Sequence, residues 1–372
     1  MAEIKVKTGT GEYTVHIGQG VVEGVLAEDV ARLRPRTIML VSHPDIYEMY
    51  GGRLRDVLQG GEAGRVRPCH FLFPQGEENK SLKTLEDGYN ALLATGVNRE
   101  DLLVAFGGGV VGDLAGFMAA TYMRGMPFLQ VPTTLMAMVD SSIGGKVGVD
   151  MPGAKNMVGA FHQPLGVYSD VSFLRTLPER ELRSGLVEVA KYGFLYDQGL
   201  LKVLEGWKGL PGEQDDITEV IAACAGHKAR VVGADERDTR GERAMLNYGH
   251  TFGHALEAAC GYGTLRHGEA VAVGMLMAAR LAELMGFSGE GLGAYHRRVL
   301  LPILGGGARD IAPEREAVIS AMRADKKKGE KLRFVLLEGL QAPFLADAVD
   351  MGAVEAAVDE TLDTLRRADP CL

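Results

Sequence analysis

A chain of 372 residues is too long for one ordinary hydrophobic core and points to two domains. Its 46% hydrophobic and 24% charged residues give the balance of a soluble globular protein. The net charge of −9 argues against nonspecific nucleic-acid binding, although basic residues can still converge locally on an anionic ligand.

The opening "MAEIKVKTGTGEYTV" has no apolar core of a signal peptide and reads as a β-hairpin. Ile4 and Val6 alternate with polar neighbours, "GTGE" supplies the turn, and Tyr13, Val15 and Ile17 alternate again. Short apolar runs follow: "TIMLVS" (37–42), "CHFLF" (69–73), "LLVAF" (102–106) and "FLQVP" (128–132). Helical patterns such as "SLKTLEDGYNALLATG" separate them. This alternation predicts an α/β domain with a mostly parallel, Rossmann-like sheet covered on both faces. Beyond about residue 176 the period is helical, in "LPERELRSGLVEVAKYGFLYD", "ITEVIAACAGHKARVVGA", "GEAVAVGMLMAARLAELMG" and "AVEAAVDETLDTLRRA", with a short strand expected in "LRFVLLEG" (332–339). The expected organisation is an α/β domain over 1–176 and a mainly α-helical domain over 177–372, with the active site in the cleft between them. Apolar stretches are interrupted before 18 residues, so no transmembrane helix and no membrane partner are expected. Cys69, Cys224, Cys260 and Cys371 form no CxxC pair and read as reduced thiols of a cytoplasmic protein.

Three stretches carry chemistry. "LLVAFGGGVVGDLAGFMAATY" is a strand, a glycine turn and a helix, whose free N–H groups and partial positive charge suit a diphosphate. Gly107, Gly109 and Gly112 match GxGxxG, but the turn does not follow the first strand and no acidic residue stands about 20 positions on, so a plain strand-to-helix turn fits the spacing as well. Asp113 is either a helix-start charge or a hydrogen-bond acceptor for a ligand. The second stretch, 131–164, sets Thr133, Thr134, Asp140, Ser141, Ser142, Lys146, Lys155 and Asn156 among glycines and apolar residues. It is too apolar for a solvated loop, and its lysines suit an anion. The third, "LNYGHTFGHALE" with "RHGEAV", brings His250, His254 and His267 close in sequence. A helix puts His250 and His254 on one face, and "SGLVEVAKYG" adds Glu188 and Lys191 on another. A carboxylate with two imidazoles is the ligand set of a catalytic zinc, and spacing does not choose which two histidines join Glu188.

These stretches together resemble the 3-dehydroquinate synthases of the sugar phosphate cyclase group. The motifs are "GEENKS", "GGGVVGDLAGF", "YMRG", "PTTLMAMVDSSIGGK", "KNMVGAFHQP", "RSGLVEVAKYG", "LNYGHTFGHALE", "RHGEAV" and "DKK", in family order over roughly 76–328. The resemblance implies a metal, zinc or cobalt, on Glu188, His250 and His267, leaving His254 to touch substrate. It implies NAD along Glu77, Lys80, Gly108, Gly109, Val110, Asp113, Thr133 and Thr134, with Lys146, Lys155, Phe173 and Thr176 nearby. It implies a sugar-acid phosphate held by Arg124, Asp140, Lys146, Lys155, Asn156, Lys191, Lys228, Arg243 and Asn247, with Lys326 and Lys327 of the "DKK" motif. It further implies a homodimer, and a reaction that oxidises C5, eliminates phosphate, reduces C5 again and closes a carbocycle. The chain departs from the family at His43, where Asp or Asn is frequent, at Val147 and Asp150, where Thr and Asn are usual, and in one extra residue between Glu236 and Arg243.

Overall fold

A computed structural model describes residues 1–59, 66–152, 154–207, 210–211, 217–261, 263–305, 313–324 and 332–367. The chain divides into two compact units, Met1–Leu177 with Ile217–Arg237, and Pro178–Asp216 with Asp238–Leu372.

The first unit is built on a seven-stranded sheet. Its chain order is β1 (Ala2–Thr8), β2 (Gly11–Gly18), α1 (Ala27–Leu33), β3 (Thr37–Ser42), α2 (Pro44–Gln59), β4 (Arg67–Leu72), α3 (Leu82–Thr95), β5 (Leu102–Gly107), α4 (Gly109–Thr121) and β6 (Phe128–Pro132). Then come β7 (Lys146–Met151), β8 (Ala154–Phe161) and β9 (Gly166–Asp170). The strands lie in the order β1-β2-β9-β6-β5-β3-β4. Only β1 runs antiparallel to its neighbour; the other pairings are parallel. The expected mostly parallel sheet is therefore present. Every residue of β3, β5, β6 and β9 is buried, which is why the inner strands read as unbroken apolar runs rather than alternating ones. The first hairpin turns on Gly9 and Thr10, between the paired Thr8 and Gly11. Helix α3 starts where the Ser81 hydroxyl accepts from the Thr84 N–H at 3.2 Å and stops at Gly96, left-handed at φ 65°.

Strand order explains the glycine turn. From β3 the chain moves outward to β4, then returns to place β5 on the other side of β3 and continues through β6 to β9. The order reverses between β3 and β5, and ligands of open α/β sheets bind beyond the carboxyl ends of the strands at such a point. The Gly107–Gly109 turn ends β5 there, and Ser42 at the end of β3 donates its hydroxyl to the Phe106 carbonyl at 2.7 Å. Following the fifth strand rather than the first does not displace the turn from the switch point.

The glycine-rich segment folds largely as strands and helical turn, with part of it in the core. β7 and β8 form an antiparallel hairpin with Gly148 opposite Gly159. A Cβ on Gly159 would stand 2.3 Å from the Val147 carbonyl oxygen, so this approach requires glycine. Val147 packs into the core of this unit.

The second unit comprises α5 (Glu179–Leu195), α6 (Gln198–Gly206), α8 (His250–Cys260), α9 (His267–Leu284), α10 (Leu292–Leu304), α11 (Arg315–Ala324), β10 (Phe334–Leu337), β11 (Pro343–Ala346) and α12 (Met351–Arg367). Helix α9, buried at nearly every position from Gly268 to Ala282, is its centre and contacts α5, α8, α10 and α12. The helix between these, α7 (Ile217–Ala234), packs on β1 and β2 and groups with the first unit, whereas the sequence placed it in the second. Among the described residues no helix is long and apolar enough to cross a membrane, and no disulfide joins Cys69, Cys224 or Cys260.

Candidate active site

In the second unit, α5 carries Glu188 and Lys191 three residues apart on one face, both almost fully buried and paired as carboxylate and ammonium. Helix α9 begins at His267, and its first turn meets α5 so closely that a Cβ on Gly268 would stand 2.3 Å from the Ser184 carbonyl oxygen. Helix α8 begins at His250 after Gly249, whose φ of 78° belongs to glycine. The Gly268 contact and the Gly249 turn bring three helix segments to one point. His250 Nε2 lies 3.9 Å and His267 Nε2 3.8 Å from Glu188 Oε1. Four-coordinate zinc with ligand bonds near 2.1 Å spaces its ligand atoms by roughly 3.4 Å, so a small inward adjustment suffices.

The remaining polar atoms favour a cation there. Among the described residues Glu188 Oε1 is buried with no hydrogen-bond partner, a costly state unless an ion meets it. His250 Nδ1 lies 3.1 Å from the Tyr248 carbonyl oxygen and His267 Nδ1 3.3 Å from Glu257 Oε1. Each ring thus has an acceptor behind it that leaves Nε2 for the metal. Burial, with Lys191 and the other two histidines adding repulsion, pushes His250 well below the usual histidine range, so it is neutral as a ligand must be. A second grouping, His254 with Glu257 and His267, also lies within 4.8 Å. The first fits a catalytic ion better, because Glu257 is buried behind His267 on its Nδ1 side and Glu188 is the carboxylate with an unmet oxygen. His254 is exposed beside the pair, its ring 5.7 Å from His250 and 6.1 Å from His267. Arg243 is buried at the start of a 3-10 turn, Arg243–Asn247, that ends on exposed Asn247. Glu257 escaped the sequence reading, although it stands three residues after His254 on the same helical face.

In the first unit the Gly107–Gly109 turn opens α4 without side-chain capping. A Cβ at Gly108 would stand 3.1 Å from Thr134 and one at Gly109 3.0 Å from the Ser141 hydroxyl, so the bare backbone leaves α4's first N–H groups approachable. Val110 follows in the same first turn, and Thr133 donates its N–H to the Gly107 carbonyl at 3.0 Å. Lys80, buried, sits 2.7 Å from Asp113 and 3.8 Å from Glu77 and donates to Asn156 Oδ1 at 2.6 Å. Burial opposes its charge, but the Asp113 and Glu77 carboxylates outweigh it and hold Lys80 above the usual lysine range. Asp150, one of the departures, accepts from the Asn156 N–H at 2.6 Å and so fixes that residue at a left-handed φ of 55°. On α7, buried Lys228 pairs with Asp140. Lys146 is exposed and Lys155 half-buried on the β7–β8 hairpin. Arg124 is exposed in a turn where Met123, Arg124 and Gly125 all have positive φ. Phe173 is buried against Tyr50 and Phe106, and Thr176 lies 2.5 Å from the Tyr50 hydroxyl. His43 is buried at the end of β3, its Nδ1 2.9 Å from the Phe73 carbonyl. Lys326 and Lys327 lie outside the described residues.

Sequence comparison adds a family. Its two models, described as 3-dehydroquinate synthase N-terminal and C-terminal, match residues 70–184 and 185–328. The 3-dehydroquinate synthase of Halorhodospira halophila is 43% identical over 367 residues, covering 98% of each chain. That of Pelobacter propionicus is 45% identical over 293 residues, 78% of this chain and 80% of its own. Among solved structures, 2-deoxy-scyllo-inosose synthase complexed with carbaglucose-6-phosphate, NAD+ and Co2+ matches with a TM-score of 0.81 at 24% identity, over 99% of this chain and 100% of the other. The 2-epi-5-epi-valiolone synthase of Streptomyces hygroscopicus subsp. jinggangensis, with NAD+ and Zn2+ bound, matches with a TM-score of 0.81 at 27% identity, over 94% and 97%. Glycerol dehydrogenase of Schizosaccharomyces pombe shares the fold more loosely, at a TM-score of 0.65 and 15% identity over 98% and 91%. Both family models in order, and relatives matched end to end, show that the chain belongs to the 3-dehydroquinate synthase family.

Proposed function

We propose that this chain converts 3-deoxy-D-arabino-heptulosonate 7-phosphate to 3-dehydroquinate and phosphate, a carbon–oxygen lyase reaction with no net redox change. The observation that carries the reading is the convergence of Glu188, His250 and His267 within 4.8 Å in a chain with this ancestry. Identities of 43–45% to the synthases, against 24–27% to the two other cyclases, favour this substrate within the group.

The first unit's glycine turn would hold NAD+, which would supply reversible hydride acceptance at C5, and Glu188, His250 and His267 would hold a zinc or cobalt ion, which would supply Lewis acidity at the substrate hydroxyls. The protein's own residues do the rest. Arg124, Lys146 and Lys155 give charge-assisted hydrogen bonds to phosphate and carboxylate, with Lys326 and Lys327 as further candidates. Lys228 and Arg243 take the substrate carboxylate. Lys191, held by Glu188, and Asn247, at the end of its 3-10 turn, orient the hydroxyls, and orientation alone can supply several kcal/mol of the barrier. A C5 ketone acidifies the C6 proton, and the phosphate group leaves by elimination, itself able to take that proton. His254, exposed beside the two ligand histidines, moves the proton at C5. Glu77, Lys80, Asp113, Thr133, Thr134, Phe173 and Thr176 complete the nucleotide side. The enzyme is taken to be a cytoplasmic homodimer, which sedimentation of the purified protein tests.

The deciding assay is phosphate release from the heptulosonate phosphate, with and without NAD and chelator. Release that needs both cofactors and leaves no accumulated NADH is expected. NADH formed in step with product would make the chain a dehydrogenase. Turnover of sedoheptulose 7-phosphate or glucose 6-phosphate in place of the keto acid would make it another cyclase.

A further inference from the structure

The metal ligands rest on a buried polar pair that the reaction itself does not use. Tyr248 precedes Gly249 in the turn that launches α8, and its carbonyl oxygen is the acceptor 3.1 Å from His250 Nδ1. Its side chain is fully buried, and its hydroxyl lies 2.8 Å from Nε2 of His296. His296, on α10, is also fully buried, with Nδ1 2.8 Å from the Leu292 carbonyl oxygen one turn back. That carbonyl only accepts, so Nδ1 carries the hydrogen and Nε2 accepts from the tyrosine. The same imidazole lies flat on Phe194, 3.7 Å between centroids and 8° between planes. Phe194 is on α5, six residues along from Glu188. One buried ring thereby touches the helix of one ligand and holds the turn that orients another.

We propose that Tyr248 and His296 are a positioning pair for the metal centre, fixing the Tyr248 peptide so that its carbonyl orients His250. Two apolar rings would fill this space without the cost of burying polar groups; the hydrogen bond adds direction. Gly249, at φ 78°, would otherwise let the Tyr248 peptide turn freely. The proposal rests on the ligand set Glu188, His250 and His267.

The test uses Tyr248→Phe, His296→Phe and the double variant, with His250→Ala and wild type as references. Co2+ affinity is measured by competition with a chromogenic chelator, the ligand field by visible absorption of the bound Co2+, and stability by urea unfolding. Tyr248→Phe and the double variant are expected to bind Co2+ about tenfold more weakly, with an altered spectrum. The double variant should regain the unfolding midpoint that each single variant loses, because neither polar group is then left unmet. Wild-type affinity and spectrum in the double variant would overturn the proposal while leaving the ligand set intact. If the double variant does not fold, the same two readings on Tyr248→Phe decide. Wild-type Co2+ affinity in His250→Ala would instead remove the ligand set and the proposal with it.

Discussion

Removing His250 or His267 leaves one imidazole beside a buried carboxylate, too few ligands to hold an ion against its hydration. His250→Ala and His267→Ala are expected to purify with about a tenth or less of the wild-type metal, and His254→Ala to keep its metal and lose about 100-fold in kcat. Metal analysis and steady-state rates read both, and metal loss confined to His254→Ala would reverse the assignment. At this scale the sequence was informative about residue types, while spacing left the partners open. A four-residue spacing joins His250 to His254, yet the Nε2 that comes within 3.8 Å of Glu188 with His250's belongs to His267, on the next helix. Only the close approach of helices makes that pairing, and a helical period cannot encode it. Glu257 went unread for the same reason, since its meaning lies in a ring on another element.

At the scale of elements, helix contacts through glycine set the geometry. A Cβ on Gly274 of α9 would stand 2.0 Å from the Gly249 carbonyl oxygen, beside the first turn of α8. Backbone cannot yield as a flexible side chain can, so Gly274→Ala must push α8 away from α9 and carry His250 with it. The expected cost is about 1–3 kcal/mol in urea unfolding, together with weaker metal retention. Unchanged stability and full metal content would show that α8 and α9 are less tightly joined than this. Elements with continuous apolar runs, β3, β5 and β6, were plain in the sequence because buried parallel strands need no alternation. The β7–β8 hairpin was not, because Gly148 opposite Gly159 contributes neither apolar period nor β-branched side chains. Its lysines stood out as an anion-binding set before the strands that carry them could be seen.

For the whole molecule, buried neutral histidines make stability depend on pH. Burial holds His296 down to about 4, from an ordinary value of 6.5, and pushes His43 in the same direction. Between those values the unfolded chain binds protons that the folded chain refuses, so stability is fully present above about pH 6.5 and falls as the pH drops toward 4. His296 alone accounts for about 3 kcal/mol of that fall. Urea unfolding of metal-free protein across this range should show the slope, and His296→Phe should reduce it, leaving the share of His43 and His250; an equal slope in both would place the titration elsewhere. The division of the chain into units was the least legible property of all. Helix α7 has the same periodic pattern as its neighbours in sequence, and membership depends on what it covers. That membership matters at birth. The first unit is not a continuous stretch of chain, for Ile217–Arg237 returns to it after the second unit has begun. While the ribosome has delivered only Met1–Leu177, the edge strand β1 waits for α7, and the next 60 residues take roughly 3–12 s to synthesise. During that interval the part of β1 and β2 on which α7 packs stands uncovered, which makes this stage of translation the one where a holding chaperone would be most useful.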